Sequence, residues 1–115
     1  VKEEILILKI HNGLKDGKNF YEAARGNWKI NKARLTHIKY VIGINRGKVV
    51  CAFEPIKWMI IEEGSDAGRK RFDGKEVTSE LLKNFQENEQ SLLRRFGIGQ
   101  AVAYCYMNDI SLPAD

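Results

Sequence analysis

Apolar residues follow one another almost without a break in EEILILKI, residues 3–10. A strand with one wet face alternates apolar and polar side chains, so this run predicts a strand covered on both faces. HNGLKDGKN then brings two Gly, two Asn and an Asp, the composition of a turn region. NFYEAARGNW predicts a short helix with Asn19 as its N-cap and Gly26 as its stop. Asn31 is placed to cap a second short helix over KARLTHI, against which the β-branched residues after Leu35 count.

The clearest element is a hairpin. KYVIGIN and KVVCAFE flank Arg46-Gly47, a two-residue connection in which Gly supplies the positive φ that such turns need. An unbroken register sets Tyr40 opposite Phe53, Ile42 opposite Cys51 and Ile44 opposite Val49. The other face carries Val41, Gly43, Val50 and Ala52, also apolar, so both faces are expected to be covered. Pro55 marks an edge, bend or bulge before IKWMII resumes as strand and EEGSDAG loops. RKRF predicts a short strand ending in a DGK turn. Thr78 or Ser79 then caps a helix with Val77, Leu81 and Phe85 on one stripe, which Leu92 and Phe96 extend past a polar break at ENEQ. QAVAYCYM reads as a last strand and NDISLPAD as a frayed tail. The fold class expected is α+β: a small, mostly antiparallel sheet of five to six strands with two to four flanking helices.

At 115 residues with 43% hydrophobic and 30% charged residues, the chain is expected to form one compact domain, residues 1–115. No apolar run approaches the roughly 20 residues of a membrane helix. The acidic start does not read as a signal peptide, which makes the cytoplasm the default location. Cys51 and Cys105 lie in the apolar stretches VVCAF and AYCYM and read as small buried hydrophobes. With His11 and His37 as the only histidines and no Cys pair at metal spacing, neither a metal nor a cofactor is expected.

Charge changes the picture through its placement. The net charge is only +4, yet no acid occurs between Ala23 and Phe53, an interval that carries seven Lys/Arg. Such a face suits a polyanion, with Arg25, Lys29, Lys32, Arg34, Arg46 and Lys48 as phosphate contacts. Solvated surface lysines and a hairpin interior that excludes acids anyway are the plain alternative. Trp28, among these cations, either anchors a helix junction or stacks an exposed base. Trp58 reads as core. In GRKRFDG, Arg69 and Arg71 share one strand face, with Lys70 and Phe72 on the other. That cluster fits either a binding role or a charged edge strand that resists pairing. A Glu54 and Asp73-Gly74-Lys75 arrangement has the outline of a metal-dependent nuclease core, but acid-x-Lys is common and Gly74 suggests a turn.

In order along the chain, Arg25-Gly26-x-Trp28, YVIGINRGKVV, Trp58 and Arg71-Phe72-x-Gly74 resemble the pattern of a family of small bacterial and phage domains. Some of those domains are attached to GIY-YIG-type nucleases. The resemblance spans roughly residues 21 to 107. A weaker similarity is to PUA-like barrels, the group that includes ASCH and EVE domains, which implies such a barrel as the alternative to an open α+β sheet. The resemblance implies a nucleic-acid context, and since no GIY…YIG pair is present, any cleavage would belong to a partner protein. The expected function is therefore DNA or RNA binding without catalysis, through Arg25, Trp28, Lys29, Arg46, Lys48, Arg69 and Arg71. A module docking an acidic protein partner is the rival from another class.

Overall fold

In the computed structural model, which describes residues 3–110, five strands form an open sheet in the order β4-β3-β2-β1-β5. Along the chain these are β1 (Glu4–Lys9), β2 (Ile38–Asn45), β3 (Lys48–Ile60), β4 (Lys70–Glu76) and β5 (Val102–Tyr106). Four helices accompany them: α1 (His11–Lys15), α2 (Phe20–Arg25), α3 (Ser79–Glu87) and α4 (Glu89–Leu93). Two 3-10 turns complete the fold, at Lys32–His37 and Met107–Asp109. The class is α+β. Three of the four strand pairings are antiparallel, with β1/β2 the parallel exception, and of the two sheet forms expected the open one is found.

Helices cover both faces, which explains the unbroken apolar run in β1. Ile5 and Ile7 join Ile42, Ile44, Phe85 and Leu92 on one side, under α3 and α4. Leu6 and Leu8 join Ala23, Ala24, Phe53 and Phe72 on the other, under α2. The caps are where the sequence put them. Asn19 Oδ1 accepts from Glu22 N at 2.8 Å, Asn31 Oδ1 from Ala33 N at 2.9 Å, and Thr78 Oγ1 from Leu81 N at 3.1 Å.

Five local expectations change. The hairpin keeps Ile44 opposite Val49, but Val50 is an extra residue that shifts the register, so Ile42 meets Ala52 and Gly43 meets Cys51. Cys51 and Phe53 therefore lie on the face opposite Ile42 and Ile44. The HNGLKDGKN stretch is not all turn, because α1 occupies its first half. Asn31 caps a 3-10 rather than an α-helix. Asp73-Gly74-Lys75 is strand, not turn: Gly74 pairs with Pro55 beside a bulge, and a Cβ there would lie 2.5 Å from the Glu54 carbonyl oxygen. In the expected C-terminal tail, Asn108 and Asp109 belong to the second 3-10 turn and Ile110 is buried, while residues 111–115 lie outside the described residues.

Candidate functional site

Because β1 and β2 run parallel, with Lys9 paired to Ile44, their C-terminal ends lie side by side at one end of the sheet. Three segments meet there. The chain leaving β1 turns into α1 and presents His11, Leu14 and Lys15. The β2–β3 turn presents Arg46, and the end of α4 brings Leu93 and Phe96. Two adjoining hollows result. One, of about 340 Å³, has Ile44, Leu93 and Phe96 as apolar wall and Lys9, His11 and Arg46 as polar wall. The other, of about 670 Å³, is bounded by His11, Leu14, Lys15, Asn45 and Arg46. His11 and Arg46 belong to both, and no carboxylate stands among the described residues that line either. The Lys9 ammonium lies 4.7 Å from the centre of the Phe96 ring, a cation–π contact that holds both at the rim.

Arg46 and Gly47 have φ of 51° and 76°, the positive pair that a type I′ turn requires. The first of these positions suits Asn, Asp or Gly, and here it carries an exposed Arg. Its neighbour Lys48 is directed elsewhere: Nζ stands 3.7 Å from Glu89 Oε2, while Glu89 Oε1 accepts from Val49 N at 2.7 Å.

The remaining cations of the acid-free stretch are spread over the molecule. Arg25 donates from Nε to the Phe72 carbonyl at 3.1 Å, pairs with Asp73 and lies over the Tyr21 ring, tying α2 to β4. Arg34 pairs with the buried Glu4 at 2.7 Å and stacks 4.0 Å from the Tyr104 ring centre. Trp28 is half-buried against the α2-side core, donates from Nε1 to the Ala24 carbonyl at 2.8 Å, and bridges to Lys70 by paired backbone bonds. Lys29 and Lys32 are exposed. Lys29 and Arg69 share an open hollow of about 560 Å³ with Asn31, Ser65 and Gly68, and Arg69 reaches Asp66 at 3.7 Å. On β4, Lys70 and Phe72 are buried on one face as expected, and Arg71 Nε is buried with no hydrogen-bond partner among the described residues.

The two basic clusters do not converge. Arg46 and Lys48 sit at one end of β3 and Arg69 beyond the other, an interval of thirteen strand residues, about 40 Å at the usual rise. Lys9, His11, Lys15 and Phe96 are the members of the Arg46 site that pattern reading missed. They lie outside the acid-free interval, and only the parallel pairing of β1 with β2 carries Lys9 and His11 to the hairpin tip.

Asp73 is held by Arg25, and no group of three or more His, Cys, Asp or Glu gathers among the described residues. Both cysteines are buried and unpaired. Burial pushes the Cys51 thiol up to about 12 and that of Cys105 to about 11, so both stay protonated and poorly nucleophilic. No helix among the described residues is long and apolar enough to cross a membrane. No family model matches the chain, nor does any curated protein or solved structure.

Proposed function

We infer that this protein binds nucleic acid through the basic end of its sheet. The observation that carries the reading is the pair of hollows sharing His11 and Arg46, walled also by Lys9 and Lys15, with no lining carboxylate among the described residues. Cations so grouped gain affinity for phosphates by releasing condensed counterions, which scattered charge does far less well. Arg46 adds support, since a side chain kept where the backbone favours Asn or Gly points to a use other than turn formation. The resemblance to a family of small domains, some of them attached to nucleases, agrees with this reading and leaves any cleavage to a partner.

Arg46→Asn tests it. Asn suits the positive φ at least as well as Arg, so the variant should melt at the wild-type temperature or slightly above. It should nevertheless bind a labelled oligonucleotide more weakly in fluorescence anisotropy at about 50 mM salt, where phosphate contacts count most. Absence of oligonucleotide binding by the wild-type protein under those conditions overturns the reading.

A further inference from the structure

The two hollows at the basic end differ in chemistry, and the difference bears on which form of nucleic acid fits. The larger one is polar and cationic, with Lys15, Asn45, His11 and Arg46 around it. The smaller one has an apolar wall of Ile44, Leu93 and Phe96 behind the Lys9, His11 and Arg46 rim. Ile44 is fully buried in the sheet and Leu93 and Phe96 pack on the same core, so this wall is fixed by the fold. At about 340 Å³ the smaller hollow falls near the low end of the roughly 300–1,000 Å³ range of small-molecule sites.

We propose that the occupant is single-stranded nucleic acid, with one unpaired base against Phe96 and Leu93, over the buried Ile44, and the adjoining phosphates on Arg46, His11 and Lys15. This rests on the nucleic-acid reading above and specifies it. A base inside a duplex is stacked on both faces and offers a groove only its edge, which is read by donors and acceptors. Ile44, Leu93 and Phe96 have none in their side chains. An unpaired base presents an apolar face instead, and an aromatic or aliphatic wall gains free energy by covering it whatever the base. The polar side chains at the rim fit the same geometry. His11 and Arg46 border both hollows, so a backbone crossing them can set its base to one side and its phosphates to the other. Lys9, already over the Phe96 ring, stands where a phosphate flanking the inserted base would need a counter-charge.

The test compares three ligands of equal length on the intact wild-type protein by fluorescence anisotropy: an oligothymidylate strand, a duplex, and a strand with the same phosphates whose sugars lack bases. Base stacking is worth about 5- to 150-fold per base by alanine substitution, so the oligothymidylate should bind tighter than the abasic strand by a factor in that range. It should also bind tighter than the duplex. Phe96→Leu keeps an apolar side chain in the core position and should shrink the ratio of oligothymidylate to abasic binding, whatever it changes in abasic binding by releasing Lys9. Equal binding of oligothymidylate and abasic strands, or tighter binding of the duplex, overturns this inference and leaves the charge-based reading standing. Failure of all three ligands to bind overturns both.

Discussion

Gly43 shows how a single position fixes the hairpin. It lies opposite Cys51, and a Cβ there would overlap the Cys51 sulfur and come within 2.9 Å of Ile10 Cδ1. The missing side chain lets the Cys51 thiol sit against the strand, 6% exposed, in the α2-side core. That burial has a consequence in alkali. Desolvation raises the Cys51 thiol from 9.0 to about 12, with Gly43 backbone hydrogen bonding opposing it more weakly. Above pH 9 the unfolded chain releases a proton that the folded protein keeps, so the unfolded state binds fewer protons and stability falls as pH rises towards 12. Each such thiol contributes a slope of at most about 1.4 kcal/mol per pH unit. Lysine and tyrosine titrate in the same window, so the informative quantity is a difference. Chemical denaturation between pH 9 and 10.5 should show a steeper loss for the wild type than for Cys51→Ala, whatever that variant loses in packing. Parallel curves would mean that Cys51 is more accessible to water than its position implies. The same burial should keep both thiols from reacting with a thiol probe in the native protein.

At the scale of elements, β3 organises the fold: its first half pairs with β2 and its second with β4, the two meeting at Phe53, and Pro55 falls at the bulge just beyond. Phe53 pairs with Val41 on one side and Glu76 on the other, and is 1% exposed, with the Tyr21 and Phe72 rings at 5.3 and 6.3 Å. Phe53→Ala should cost about 3–5 kcal/mol, a large part of a small domain's stability, read as a lowered denaturant midpoint with unchanged slope. The helix caps, the Arg46-Gly47 turn and the two-faced burial of β1 were legible, because each rests on local chemistry: an Asn or Thr oxygen, a Gly φ, an apolar run. The bulge at Val50 was not. VVCAF is apolar at every position, so no polar side chain marks which face each residue must take, and a slip of one costs the pattern nothing. Gly74 misled for a related reason, since Gly signals a turn as readily as a close approach of two strands. Strand order also lay beyond reach, and with it the placing of Lys9 and His11 beside Arg46.

The whole molecule divides its cations between ion pairs within the fold and solvent-exposed positions. Arg25 and Arg34 are spent on Asp73 and Glu4, within the fold. Among the exposed ones, Lys15 and Arg46 stand at the hairpin end, whereas Lys29 lines the hollow at the far end of β3 with Lys32 three residues further along the chain. Net charge alone would attract a polyanion to either end. Two double variants separate the effects: Lys15→Glu with Arg46→Glu, and Lys29→Glu with Lys32→Glu. Each reverses two charges and takes the protein from +4 to 0, because each reversal subtracts 2. All four side chains are exposed, so both variants should keep stability within about 1 kcal/mol of wild type. If the site is the hairpin end, wild type contacts about three to four phosphates there, giving a slope of log K against log salt of roughly −2 to −3 for a single strand. Reversing Lys15 and Arg46 should abolish most binding at about 50 mM salt and flatten that slope by at least about 1.4, two contacts' worth. The Lys29/Lys32 variant should weaken binding modestly through the long-range field, which salt screens over about 10 Å at 0.1 M, and its slope should stay near the wild-type value. Equal losses in the two variants would show that net charge attracts the polyanion, and the hollows at Arg46 would then have no special part in binding it.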